Sequence, residues 1–152
     1  MTQRIDYGTA APDALRALYA LETQVRRSKL DHALVNLVYL RVSQINGCAY
    51  CIDMHTKDLR AAGETEQRLY LLPVHREAPC YSDREQAAFA WAEAVTRLGE
   101  GGVPDAVYDE ARRHFGEQEM VELTLAVGTI NMWNRMGIAF RTPAGSYTPK
   151  AR

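Results

Sequence analysis

Apolar residues recur at intervals of three and four along most of the chain, which is the spacing of amphipathic helices. Pro12 opens one such segment, whose apolar stripe runs from Leu15 to Val25. Asp31 is placed to cap a second helix, which we predict through about Gln44. Part of this second segment would also suit a strand, but its length and flanks favour a helix.

The rest of the chain also carries helix signals, separated by glycine and proline. Ser82 and Glu85 form a capping box at the start of one helix, and the last helix is long and mostly apolar. We therefore predict an all-α protein with one domain over residues 1–152 and about seven helices. The five further helices span about 48–62, 65–73, 82–98, 104–116 and 117–141, with a loop at 73–81 and an extended tail from 142.

Composition is ordinary for a globular protein, with 47% hydrophobic and 24% charged residues and a formal net charge of −1. This charge predicts no nucleic-acid partner and no anionic membrane partner. No apolar run approaches the ~20 residues that cross a bilayer, and Met1 to Asp6 lack the apolar core of a signal peptide. We expect a cytoplasmic protein, whose thiols are kept reduced.

Three cysteines are present, and two of them form a Cys-x-x-Cys pair, Cys48 and Cys51. His55 follows four residues after Cys51, so the three side chains form a row along one helix face. Gly47 allows a sharp turn into this helix. Cys48 lies near its first turn, where free N–H groups and the helix dipole favour an anion. Cysteines in such places have lowered pKa values, and the thiolate is the reactive form.

This row predicts thiol–disulfide chemistry. One thiolate attacks a peroxide oxygen or a substrate disulfide, and the second cysteine resolves the product to an intramolecular disulfide. His55 is placed to remove or return a proton. A partner dithiol then restores the reduced pair.

Two other interpretations of the pair stay open. Cysteine pairs arise by chance, since buried cysteine also serves as a small hydrophobe. The pair and His55 would also suit zinc, but structural zinc takes four ligands and the chain has no second Cys-x-x-Cys. A fourth ligand would have to come from Cys80, His32, His75 or His114. We interpret Cys80 as an incidental thiol and predict no metal.

The segment 40–57, LRVSQINGCAYCIDMHTK, closely resembles the core motif of the AhpD-like alkylhydroperoxidases of the carboxymuconolactone decarboxylase superfamily. Weaker similarity covers most of the remaining chain, at 61–64, 68–70, 83–85, 91–96, 130–135 and 143–149. The resemblance implies an all-helical fold and homo-oligomers, often trimers or hexamers. It also implies peroxidase chemistry without a cofactor.

The resemblance further implies a role for each residue of the motif. Cys51 matches the peroxidatic cysteine, Cys48 matches the resolving cysteine that meets the reductant, and His55 matches a histidine of a proton relay. A hydroperoxide is the implied substrate, and a dithiol or a protein is the implied reductant. Decarboxylase members generally lack the paired cysteines, so the resemblance groups this sequence with the redox-active members of the family.

One position departs from the family. The relay usually includes a glutamate twelve residues before the first motif cysteine, and this chain has Asn36 there. An amide cannot act as a carboxylate base. Asn36 remains a possible site-lining residue, and Glu22, His32 and Glu122 are candidates for a replacement group.

The sequence thus predicts a thiol-dependent peroxidase acting through Cys51, Cys48 and His55. Two alternatives remain. One is a non-redox decarboxylase or lactone-type enzyme on the same fold. The other is a non-enzymatic redox sensor, in which disulfide formation changes assembly.

Overall fold

The computed structural model describes residues 2–149, and this part of the chain contains helices and no β-strand. The predicted all-α fold is confirmed. Eight α-helices and one 3-10 helix follow one another: α1 Tyr7–Ala10, α2 Pro12–Arg26, α3 His32–Asn46, α4 Ala49–Ala61, α5 Glu66–Leu71, the 3-10 helix Leu72–Glu77, α6 Asp83–Arg97, α7 Asp105–His114 and α8 Glu117–Phe140.

Helix α3 lies at the centre of the fold, where it packs against α4, α6 and α8. Asp31 caps its start by accepting hydrogen bonds from the N–H groups of Ala33 and Leu34, at 2.9 and 3.0 Å. Apart from Asn36, every residue from Leu34 to Ser43 is buried. This enclosure explains why part of the segment also resembles a buried strand in sequence.

A buried carboxylate ties α6 to α3 and to the 3-10 helix. Glu93 accepts hydrogen bonds from Arg41 at 2.8 Å and from Arg76 at 2.7 Å, and lies 3.1 Å from His75 Nε2. Burial alone would raise the pKa of Glu93. The pKa is nevertheless lowered to about 2, because His75 and Arg41 hydrogen-bond to the carboxylate and the charges of Arg41 and Arg76 attract it. The α6–α3 contact therefore depends on a charged Glu93.

Two helical segments were not predicted from the sequence. Helix α1 has only four residues, too few for a periodic signal, and Asp6 caps it by accepting hydrogen bonds from Gly8 N and Thr9 N. The predicted loop at 73–81 instead begins within the 3-10 helix, with Pro73 in its first turn, where a missing N–H costs nothing. Within residues 2–149, no helix has the length and apolar character needed to cross a membrane.

Candidate active site

The turn between α3 and α4 sets the position of the cysteines. Gly47 ends α3 in the left-handed region, with φ 71° and ψ 32°, which strains any residue with a side chain. The N–H of Cys48 then donates to Ser43 O at 3.0 Å. Cys48 is the N-cap of α4, and its Sγ accepts a hydrogen bond from the N–H of Cys51 at 3.3 Å. One sulfur thus lies directly at a helix N-terminus, where negative charge is stabilised.

Cys48 and Cys51 are joined by a disulfide, with their Cα atoms 5.3 Å apart. The two residues are 1% and 2% exposed, whereas Cys80 is a half-buried free thiol elsewhere. The structure therefore represents the oxidised form of the pair.

Helix α8 covers the disulfide on the Cys48 side. A Cβ atom added at Gly137 would lie 3.1 Å from Cys48 Sγ and 3.7 Å from Cys51 Sγ, so a glycine here lets the helix backbone approach the sulfurs. Cys51, in contrast, lines a cavity of about 180 Å³ on the other side, and Cys48 does not. The two sulfurs are thus unequal in their access to a small molecule.

His55 lies beside Cys51 in the lining of this cavity and is only 2% exposed. Neither of its ring nitrogens has a hydrogen-bond partner in the protein. Burial, and secondly the positive charge of Arg26, lower the pKa of His55 from 6.5 to about 3. In the disulfide form His55 is therefore a neutral imidazole with unused hydrogen-bonding capacity, one helical turn from Cys51.

A polar chain lies across the cavity from α4. The hydroxyl of Tyr39 donates to Glu22 Oε2 at 3.1 Å, and Arg26 Nε donates to Glu22 Oε1 at 2.9 Å. The ring of Tyr39 meets the ring of His55 edge-on, with centroids 5.2 Å apart. Burial, followed by the adjacent Glu22 carboxylate, raises the pKa of Tyr39 well above its usual value, which keeps its proton in place.

Comparison with known proteins identifies the family of this chain. The model of the carboxymuconolactone decarboxylase family matches residues 12–94. The uncharacterized protein YdfG of Bacillus subtilis (strain 168) is 41% identical over 146 residues, which cover 96% of this chain and 99% of YdfG. This chain belongs to the carboxymuconolactone decarboxylase family.

Solved structures place it on the AhpD-like side of the family. A protein of unknown function from Agrobacterium tumefaciens, named as an AhpD antioxidant-defence protein, is 43% identical and covers 96% of this chain. The TM-score is 0.92, and all of that chain is covered. A peroxidase-related protein with an AhpD core from Ralstonia eutropha JMP134 has a TM-score of 0.80. It is 19% identical over 91% of this chain and 74% of its own, which shows the shared fold.

The position that departs from the family pattern lies apart from Cys51. Asn36 lines a smaller neighbouring cavity together with His32, Glu22 and Tyr39, and it is absent from the lining of the Cys51 cavity. Glu22 and Tyr39 line both cavities. Of the three replacement groups considered from the sequence, only Glu22 lines the Cys51 cavity.

Several lining residues were missed in the sequence. Tyr39 and Trp133 were not assigned to the site, although both line the Cys51 cavity. A signal existed on α2, since Tyr19, Glu22 and Arg26 are three and four residues apart and so share one helix face. That face became informative only when α2 was placed against α3 and α8.

In the described part of the chain, the fold does not bring together a set of zinc ligands. Among residues 2–149, no three side chains of histidine, cysteine, aspartate or glutamate cluster in a way that could hold a metal ion. His32, His75, His114 and Cys80 do not line the cavity that contains Cys51 and His55. The described part of the chain therefore brings no third and fourth ligand to the cysteine pair.

Proposed function

We propose that this chain is a thiol-dependent peroxidase that reduces hydroperoxides at Cys51. The observation that carries the proposal is the arrangement of Cys51 and His55, which line one small cavity, with a buried imidazole that no protein group satisfies. A buried polar group without a partner costs stability and calls for a functional reason. A bound peroxide supplies both a donor and an acceptor for that ring.

The reaction begins with the reduced pair. Cys51 loses its thiol proton to His55, and the resulting thiolate raises the pKa of the imidazole by direct charge attraction. The thiolate attacks the terminal peroxide oxygen and the O–O bond breaks. Cys51 becomes a sulfenic acid, and the departing alkoxide takes the proton from His55 to give an alcohol.

The second half of the cycle closes the disulfide. The Cys48 sulfur attacks the sulfur of the sulfenic acid, hydroxide leaves, and the Cys48 thiol proton converts it to water. The N–H of Cys51 is placed to stabilise negative charge on Cys48. An external dithiol, free or carried by a protein, then reduces the disulfide and is itself oxidised. No cofactor takes part in these steps.

Catalytic peroxide consumption tests the proposal. With excess dithiothreitol and tert-butyl hydroperoxide, the protein should turn over many times, and peroxide alone should remove two thiols per chain. The Cys80→Ser variant serves as the control and should behave as the parent chain. Oxidation of the pair without turnover would instead favour a redox sensor. Retention of all thiols would favour a non-redox enzyme of the decarboxylase type.

We further propose that Glu22, acting through Tyr39, takes the part that a glutamate at position 36 plays in the family. The carboxylate holds the Tyr39 hydroxyl at 3.1 Å, and the Tyr39 ring contacts His55, so Glu22 fixes the wall against which the imidazole packs. Glu22 also pairs with Arg26, whose charge otherwise lowers the pKa of His55 further. These contacts make Glu22 a positioning residue for the proton transfer.

In the Glu22→Gln variant the oxidation of Cys51 should be about tenfold slower. This is a smaller loss than the ~10²–10⁴-fold that removal of a direct general base causes. Its pH–rate profile should shift to lower pH, because an unpaired Arg26 lowers the pKa of His55 further and the imidazole then stays a neutral base to lower pH. The measurement is single-turnover oxidation by stopped flow between pH 5 and 9. Asn36→Ala is the matched control, since Asn36 lines the neighbouring cavity and not the Cys51 cavity. Equal profiles for Glu22→Gln and the parent chain would contradict the assignment.

We also propose that the chain forms homo-oligomers through the outer face of α8. One face of this helix is buried in the core, whereas Val121, Leu125 and Met132, which are four and seven residues apart on the opposite face, are all more than 40% exposed. A stripe of this kind on a monomer is typical of a contact surface. Trimers and hexamers are the states expected from the family.

Multi-angle light scattering at micromolar concentration should show a mass above the 17.1 kDa of one chain. Changing Val121 and Leu125 together to aspartate should shift the mass to that of the monomer, because burying two unpaired carboxylates is unfavourable. Tyr70→Asp, at a residue that is 71% exposed away from α8, is the control. A monomer for the parent chain would refute this assembly.

A further inference from the structure

The Cys51 cavity is unusually rich in aromatic side chains. Four of the eight tyrosines of the chain and one of its two tryptophans line it: Tyr7, Tyr19, Tyr39, Tyr50 and Trp133. They come from α1, α2, α3, α4 and α8, so five separate elements converge to build one aromatic wall. Such a wall is not needed for a peroxide as small as hydrogen peroxide. It indicates a substrate with a flat apolar body.

The size of the cavity matches a body of one ring. Its volume is about 180 Å³, and apolar protein cavities of about 150 Å³ bind benzene. One substituted ring therefore fits, whereas a fused ring system or a long acyl chain would extend out of the cavity past the exposed Tyr19.

The charges in the lining balance. Glu22 and Arg26 line the cavity as an ion pair at 2.9 Å, and His55 is neutral in this form. The lining thus offers no unpaired charge to an ionic substrate. A charged group would also lose its hydration on entry without gaining a counter-ion.

Two side chains of the aromatic wall already pack against each other and leave ring surface for a third ring to contact. Tyr19 and Trp133 lie with ring centroids 5.1 Å apart and planes inclined at 50°, and Tyr19 is 58% exposed. Exposed aromatic area beside a cavity gains most when another ring covers it. The polar peroxide group of the substrate is matched by His55, whose buried ring nitrogens have no hydrogen-bond partner.

We propose that the cavity binds an uncharged hydroperoxide with a single aromatic ring, which it reduces in preference to hydrogen peroxide. This inference rests on the proposed peroxidase function and names its substrate class. The ring packs in the aromatic wall, and the terminal peroxide oxygen faces Cys51. The O–O bond breaks as the S–O bond forms, and the products are an aryl-substituted alcohol, water and the Cys48–Cys51 disulfide. The two electrons come from the two thiols.

The first experiment compares cumene hydroperoxide, tert-butyl hydroperoxide and hydrogen peroxide, with dithiothreitol as the reductant. The kcat/KM values should fall in that order, with cumene hydroperoxide at least about tenfold above hydrogen peroxide. Equal values, or a preference for hydrogen peroxide, would overturn the substrate class and leave the peroxidase function standing. No turnover with any of the three would overturn the peroxidase function itself.

Variants of Tyr19 test the wall. Tyr19→Ala should lower the ratio of kcat/KM for cumene hydroperoxide to that for hydrogen peroxide by about 3- to 10-fold, the range expected for one lost aromatic contact. Tyr19→Phe should keep the ratio. Tyr70→Ala removes a tyrosine that is also exposed but lies outside the cavity, and it should keep the ratio too. An unchanged ratio in Tyr19→Ala would overturn the proposed role of the wall.

A binding measurement needs no catalysis. The product alcohol 2-phenyl-2-propanol should bind the disulfide form saturably and shift the indole N–H signal of Trp133, which is assigned by its loss in Trp133→Phe. The compound tert-butanol should shift it little at the same concentration. Absence of a saturable shift with the aryl alcohol would overturn the site. Binding without peroxidase turnover would retain the aromatic site while refuting the proposed reaction.

Discussion

Replacing Cys51 with serine should abolish peroxide reduction, with a loss of roughly 10³-fold or more, because a hydroxyl without a strong base is a poor nucleophile at neutral pH. Replacing Cys48 with serine should still allow one oxidation of Cys51, which then remains as a sulfenic acid or an intermolecular adduct. The reason is access and proton transfer. Cys51 lines the cavity one turn from His55, whereas Cys48 is covered by α8 at Gly137.

Mass spectrometry after one equivalent of peroxide, with dimedone as the trap, distinguishes the two variants. Both are made on a Cys80→Ser background so that the free thiol contributes no adduct. Thioredoxin-type chemistry makes the opposite prediction, since its nucleophile is the cysteine nearer the helix start. A dimedone adduct on Cys48 in the Cys51→Ser protein, with Cys51 inert in the Cys48→Ser protein, would reverse the assignment.

Replacing His55 with leucine should lower the rate of Cys51 oxidation by about 10²–10⁴-fold, the usual value of a positioned acid–base group. The same change should leave the oxidised protein at least as stable at pH 7. Leucine is of similar size and removes two buried nitrogens that have no partner, and an apolar replacement of unsatisfied groups is neutral or stabilising. The rate of Cys51 oxidation and the free energy of unfolding are thus expected to change independently when this residue is replaced.

The pH dependence of stability gives this variant a second signature. The pKa of His55 is about 3 in the folded disulfide form and about 6.5 in the unfolded chain, so the unfolded chain binds more protons between these values. The contribution of the neutral His55 to the free energy of unfolding is then fully present above pH 6.5 and is lost as the pH is lowered toward 3. Between pH 7 and pH 5 the loss from His55 is about 2 kcal/mol.

Urea unfolding of the oxidised protein at pH 7 and pH 5 measures this loss, which should be absent in His55→Leu. The interval lies above the range in which Glu93, with a pKa of about 2, loses its charge, so that carboxylate does not interfere. An equal loss in the parent chain and the variant would mean that His55 titrates as it does in the unfolded chain.

The long helices could be read directly from the sequence, because their signals are local. Asp31 and the Ser82 capping box fixed two helix starts to within a residue, and the row formed by Cys48, Cys51 and His55 followed from helix geometry alone. The short helix α1 and the 3-10 helix were missed, since neither is long enough to show a period.

The surroundings of the cysteines depended on the tertiary structure. The sequence supplied the cysteine pair and a list of possible acids, but the packing of α2 against the rest of the bundle decided that Glu22, and not His32, lines the Cys51 cavity. The same holds for the unequal access to Cys48 and Cys51, which α8 decides by its close approach at Gly137. Residues 22, 39 and 137 are far apart in the chain, and periodicity carries no information about which helix faces meet. Local hydrogen bonds and spacing therefore determined the row of Cys48, Cys51 and His55, whereas long-range packing determined its cavity, its charge environment and which sulfur lines that cavity.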